Sequence, residues 1–190
     1  MEMLQKAVVW RNLQANGSDY CELWRTAEGW VLKGTAIAVL GEAGPVLCTY
    51  DIQCDNHWQT QRAEVTRRIG SDVRKISLLV ESRGSWQESG QQLPGLHECV
   101  DVDLSITPAT NTLPIRRLKL LVGASHEATA AWVRLPELEV QPLSQRYTRI
   151  DSDTYRYESA TGYSTILRVD EKGLVKLYFG AWEVVGSATS

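Results

Sequence analysis

Apolar and polar residues alternate with a period of two along nearly the whole chain, in runs separated by short turn clusters. That period puts successive side chains on opposite faces of an extended backbone, so the runs predict strands. "KAVVWRNL" and "YCELWRT" flank "QANGSD", where Asn16-Gly17 is a strong hairpin signal. "WVLKGTAIAVL" and "VLCTYDIQCD" follow, separated by "GEAGP". In "WQTQRAEVTRRI", Ala63, Val65 and Ile69 alternate with Glu64, Thr66 and Arg68, and the Thr and Val content favours a strand over a helix. "VRKISLLVES" leads into the turn-rich "RGSWQESGQQLPG".

"CVDVDLSIT" alternates cleanly, with Val100, Val102 and Leu104 on one face and Asp101 and Asp103 on the other, wet face. Later runs are "ATAAWVRLPELEVQPL", "QRYTRI", "TYRYES", "YSTILRVD" and "VKLYFGAWEVV". Asp151-Ser152-Asp153 and Glu171-Lys172-Gly173 read as hairpin turns, making residues 145–185 an antiparallel meander. Pro136 and Pro142 predict that their strand is bent or lies at an edge. About a dozen strands result, without the regularly spaced helices of a βαβ architecture.

One segment changes period. From Leu113, the apolar residues Ile115, Leu118 and Leu121 fall at i, i+3 and i+6, with Val122 at i+7. They share a helical face from which Arg116, Arg117 and Lys119 are excluded. Pro114 suits a first turn, Asn111 and Thr112 can cap it, and Gly123 can stop it. The pattern predicts a helix over about 112–122 that plugs the curl of the sheet.

With 190 residues and no low-complexity linker, the chain is expected to form one domain, residues 1–190. A net charge of −3 argues against nucleic acid as a partner. No apolar run reaches the roughly 18 residues of a membrane span. "MEMLQKAVVW" lacks the apolar stretch of a secretory signal, so a cytoplasmic location with reduced Cys21, Cys48, Cys54 and Cys99 is expected. Seven Trp and seven Tyr stand against a single Phe, a balance that suits strand faces and half-wet pockets.

Motifs for nucleotide, dinucleotide, zincin and serine-hydrolase chemistry are missing from the sequence. Cys54, Asp55 and His57, with His97, Glu98 and Cys99, are metal-ligand types, but their spacing matches no standard module. They are read as inert cysteines and surface histidines, and no metal or cofactor is expected. Asp101 and Asp103 lie roughly 6–7 Å apart at Cα, a spacing that superficially suits paired-carboxylate glycoside chemistry. Pairing of one of them with Arg116 or Arg117 is the favoured reading. "IRRLK" and Arg67-Arg68 could also meet an anionic head group.

The string "DVDL…TPATNTLPIRRL", with "CDNHWQT" upstream and "YSTILRVDEKGLVKLYFGAWE" downstream, resembles the glycolipid-binding family, formerly a domain of unknown function. The resemblance spans nearly the full chain. It implies a mainly β fold, a many-stranded antiparallel sheet curled as a spiral β-roll around one short central helix. The family's name rests on structural similarity to bacterial lipoprotein carriers, which hold acyl chains in a concave sheet. The expected function is therefore non-enzymatic binding of an amphipathic small molecule, a glycolipid, by a curved sheet. Trp58, Trp86, Trp132, Tyr147, Tyr155 and Tyr157 are the candidates to stack on sugars. Arg62, Arg116 and Arg117 are candidates for a head group, and Asp101 and Asp103 for sugar hydroxyls. Two alternatives stay open: a hydrolase or isomerase of a sugar or lipid derivative that uses Asp101 and Asp103, and an interaction domain whose sheet edge pairs with a partner or a second copy as a homodimer.

Overall fold

The alternation translates directly into an inside and an outside. In β4 (Pro45–Asp55), Val46, Cys48, Tyr50, Ile52 and Cys54 point inward and are buried, while Leu47, Thr49 and Gln53 point to water. The computed structural model describes residues 2–81 and 84–189, which form fifteen strands and one α-helix. The first half is a meander of β1 (Met3–Asn12), β2 (Gly17–Arg25), β3 (Gly29–Val39), β4, β5 (Thr60–Ile69), β6 (Asp72–Glu81), β7 (Ser85–Glu88) and β8 (Gln91–Gln92). The second half holds β9 (Asp101–Leu104), α1 (Thr112–Leu118), β10 (Ser125–Arg134), β11 (Glu139–Arg149), β12 (Thr154–Ser159), β13 (Ser164–Val169), β14 (Val175–Tyr178) and β15 (Trp182–Ala188). Ser82 and Arg83, at the expected turn after β6, lie outside the described residues.

All fifteen strands join one sheet, ordered from β8 back to β1, then from β15 back to β9. The β1–β15 pair joins the two meanders, and the outer strands β8 and β9 are not paired with each other, so the roll stays open. Strand β9 is tucked beside the start of β5: the Thr60 N–H donates to the Val100 carbonyl at 3.3 Å, and the Val102 N–H to the Thr60 hydroxyl at 3.1 Å. The expected antiparallel meander over 145–185 and its two hairpin turns are present. Pro142 lies in the part of β11 that pairs with β10 but precedes the residues paired with β12, so its missing N–H removes no ladder bond there. Pro136 falls in the turn between these strands.

Two expectations need correction. Strands β9 and β10 are parallel, so a single βαβ crossover exists, and α1 is its helix. A parallel neighbour cannot be reached by a tight hairpin, and the chain from Ser105 to Ala124 supplies the longer connection. The helix is also shorter than the predicted span. Lys119 turns left-handed at φ 47°, and the Arg149 Nη1 group takes the Leu120 carbonyl at 2.8 Å. Leu121 and Val122 therefore leave the helical face and stand 78% and 61% exposed. No side-chain cap forms: the Asn111 amide oxygen instead accepts from the Tyr147 hydroxyl at 3.0 Å.

What remains of the helix still fills the curl. Leu113 packs in the larger core with Trp10, Leu23, Leu32, Ile52, Leu78, Trp86 and Leu104, each at most 1% exposed. Ile115 packs in a smaller core with Tyr147, Tyr155, Tyr157 and Leu167. The middle of the roll is thus occupied by its own side chains. Gly34 makes room for one of them: a Cβ there would overlap the Tyr50 ring and lie 2.7 Å from the Tyr20 carbonyl oxygen. Gly34→Ala is expected to destabilise the protein by about 1–3 kcal/mol in denaturant unfolding, the usual range for overpacking.

Candidate ligand-binding cleft

The open space lies at one end of the roll, not in its centre. There the turns after β1, β12 and β14 meet the chain following β9 around a cleft of about 470 Å³. Its walls carry Trp132, Tyr157, Tyr163, Tyr178 and Trp182, with Leu40, Leu143 and Ile106 between them. Polar groups enter from Asn12, Asp103, Asn111, Ser159 and Thr161. Tyr163 and Tyr178 stack at 6.1 Å and 20°, and Tyr157 tilts against both. The register of β12 to β15 makes this cluster, because it stacks turns that are distant in sequence side by side.

Asp103 anchors the polar wall. Its Oδ1 accepts from the Thr110 hydroxyl at 2.8 Å and its Oδ2 from the Gln145 amide at 2.7 Å. The same amide donates to the Tyr157 hydroxyl oxygen at 3.1 Å. Burial pushes the Asp103 carboxyl above the usual carboxylate range, against the pull of these hydrogen bonds. A second anchor lies behind the wall. Asp19, fully buried, accepts from the Tyr50 hydroxyl at 2.9 Å and from the hydroxyl of Thr107, which lines the cleft. Its other oxygen has no partner among the described residues, and burial raises its pKa from 3.8 to about 6.

The raised Asp19 pKa fixes the sign of a pH effect. The folded state holds this proton more tightly than the unfolded chain, so the contribution to stability falls as pH rises from 3.8 to about 6. Relative to Asp19→Asn, the wild type is expected to lose on the order of 2–3 kcal/mol across that window. Urea unfolding of both proteins at several pH values checks it; parallel stability curves would contradict it.

Among the anticipated site residues, Asp103, Trp132 and Tyr157 line the cleft. Asp101 does not, and it is not on a wet face: it is 1% exposed, and Arg117 grips both its oxygens at 3.0 and 2.6 Å. Strand β9 is covered on both sides, Val102 and Leu104 by the larger core and Asp101 by the helix that carries Arg117. Burial pushes the Asp101 carboxyl up, and the guanidinium opposes that shift. Among the described residues Arg116 has no acidic partner; it lies 5.4 Å from the Trp58 ring and donates to the Glu171 carbonyl at 3.4 Å. Trp58 is buried against Trp30 at 4.5 Å, and Trp86 is buried with its N–H on the Cys99 carbonyl. Tyr147 and Tyr155 sit in the smaller core, while Arg62 is exposed and paired with Glu64.

Tyr163, Tyr178 and Trp182 were not anticipated. For Tyr178 and Trp182 the signal was the turn "YFGAW", three aromatics around one glycine; Tyr163 stands alone in "TGYST". All four cysteines are buried and free, His57 and His97 are exposed, and no group of three or more ligand-type side chains assembles among the described residues. Nor does any described helix have the length and apolarity to cross a membrane. Other depressions have fewer aromatic side chains in their walls. One of about 330 Å³ lies among outward-facing residues of β2 to β5, such as Thr35 and Thr49, and one of about 670 Å³ is flanked by Lys6, Asp153, Asp170 and Lys176.

Comparison with known proteins gives these features a family context. No curated protein matches the chain. A crystal structure of a DUF1089 family protein from Pseudomonas aeruginosa is similar at a TM-score of 0.79 and 33% identity, over 87% of this chain and 91% of that one. A β-barrel-like protein of the DUF1849 family from Brucella abortus has a TM-score of 0.56 over 100% of this chain and 99% of that one. Its identity is 7%, so that likeness concerns the fold alone. The family model described as "Putative glycolipid-binding" matches residues 7–184. With that match over almost the full length, the chain belongs to the glycolipid-binding family.

Proposed function

We propose that the end cleft binds the sugar head group of a glycolipid without transforming it. The observation that carries this reading is the meeting of Tyr157, Tyr163, Tyr178, Trp132 and Trp182 with the anchored carboxylate of Asp103 in one half-open space. Aromatic faces stack on the C–H faces of sugar rings, while fixed polar groups orient the hydroxyls. A volume of about 470 Å³ falls in the usual range for small-molecule sites, roughly 300–1,000 Å³. The family description supports the ligand class. Because the middle of the roll is filled, the acyl chains stay outside it, unlike the chains held in the concave sheet of the lipoprotein carriers for which the family is named.

A binding role also suits the carboxylates. Paired-carboxylate glycoside chemistry needs two acids flanking the scissile bond. Here Asp101 is occupied by Arg117, which leaves Asp103 alone at the wall. Titration calorimetry with water-soluble head groups of galactolipids and glucolipids tests the reading. Saturable binding that Tyr178→Ala weakens supports it. An absence of binding across both classes contradicts it, as does turnover of a glycolipid that Asp103→Asn abolishes, the result expected of a hydrolase.

A further inference from the structure

The lip of the cleft is built from three uncharged turns. Three turns lie side by side there, following the sheet order β2-β1-β15-β14-β13-β12. The Leu13 N–H donates to the Ala181 carbonyl at 2.8 Å, and the Phe179 N–H to the Ile166 carbonyl at 3.0 Å. The Thr165 hydroxyl adds a bond to the Phe179 carbonyl at 2.9 Å. The turns with their flanking residues, 12–16, 159–165 and 178–182, contain no Asp, Glu, Lys, Arg or His, in a chain that is 23% charged. Each turn instead holds out an apolar or aromatic side chain: Leu13 is 46% exposed, Tyr163 37% and Phe179 69%.

From this we infer that the cleft end is a docking face for a lipid bilayer, with Leu13, Tyr163 and Phe179 entering the interface around the cleft mouth. The inference rests on the head-group reading of the cleft. A glycolipid whose chains cannot enter the roll keeps them in the membrane, so the protein has to bring the cleft mouth to the bilayer surface. The lip suits that contact. Desolvating charged groups at a membrane is expensive, and here the three turns have none, whereas aromatic side chains favour the interfacial zone.

Exposed apolar residues elsewhere include Ile37, which pairs in register with Leu47 on the outer face of the sheet. Leu47 and Val73 on the outer face are separated across the sheet by Arg68, which pairs in register with both. Leu121 and Val122 follow the exposed Lys119. Because the lip has no cation to attract anionic lipid, docking depends on apolar insertion. It is therefore insensitive to ionic strength and proceeds on zwitterionic membranes.

The test is flotation with phosphatidylcholine vesicles, plain and doped with a galactolipid, at low and high salt. The wild type is expected to float with both, more with the doped vesicles, and equally at both salt concentrations. Leu13→Ser combined with Phe179→Ser should lower partitioning on the order of tenfold, from the loss of two inserting side chains. The same double variant should bind the soluble galactolipid head group as well as the wild type, and Ile37→Ser on the outer face should float normally. Failure to float, flotation unaffected by the double substitution, or binding that salt abolishes would overturn the docking face. Loss of soluble head-group binding in the wild type, with flotation intact, would instead overturn the reading of the cleft.

Discussion

Arg117→Ala is expected to lower the unfolding free energy by roughly 3–5 kcal/mol, the range for removing one partner of a buried ion pair. The Asp101 side chain is only 2% exposed, and both its oxygens are engaged by one guanidinium whose side chain is 16% exposed. Alanine would leave that carboxylate buried without its counter-charge and would also loosen α1 from β9. Arg117→Lys should recover a minor part of the loss, because an ammonium cannot reproduce the two parallel bonds of the fork. Replacing both partners, Arg117→Met with Asp101→Leu, should be far milder than either half alone, since the desolvation of charge disappears with the pair. Denaturant unfolding of the set decides it. A loss below about 1 kcal/mol for Arg117→Ala, the value of an exposed pair, would mean that this contact does not hold the crossover in place.

Asp103→Ala is expected to weaken head-group binding roughly ten- to a hundredfold, the effect of losing a hydrogen bond to a charged acceptor. The same change frees Thr110 and Gln145 from their acceptor, so thermal stability should fall as well. Gln145→Ala separates the two effects. It leaves the carboxylate in the cleft but removes the amide that orients it and Tyr157, so stability should fall while binding declines by a smaller factor. Equal affinities for the wild type and Asp103→Ala would place the binding of sugar hydroxyls elsewhere.

The sequence was most legible where a local rule is enforced by the whole fold. Inward positions of β4, the Asn16-Gly17 turn and the C-terminal meander all follow from alternation and turn chemistry. The start of α1 was readable from Pro114, but its end was not. Gly123 looked like the stop, yet Lys119 takes the left-handed conformation and Arg149, thirty residues on, captures the Leu120 carbonyl. Strand β9 shows the same limit. Alternating Val and Asp implies one dry and one wet face, whereas the crossover lays its own helix over the Asp101 side and supplies the arginine that makes burial tolerable. The cleft was only half legible for a related reason. Trp132, Tyr157 and Asp103 stand out by residue type, but their proximity to Tyr163, Tyr178 and Trp182 is created by sheet order and register, which no local window contains.

The chain's seven tryptophans offer a direct probe of head-group binding in the cleft through their indole N–H resonances. Titrating a soluble galactolipid head group into nitrogen-15-labelled protein should shift the indole signals of Trp132 and Trp182, which line the cleft. Those of Trp10 and Trp86, bonded to the Val175 and Cys99 carbonyls inside the roll, should stay in place. Shifts confined to the groove near Lys6 and Asp170, or no saturable shift at Trp132 and Trp182, would contradict the account.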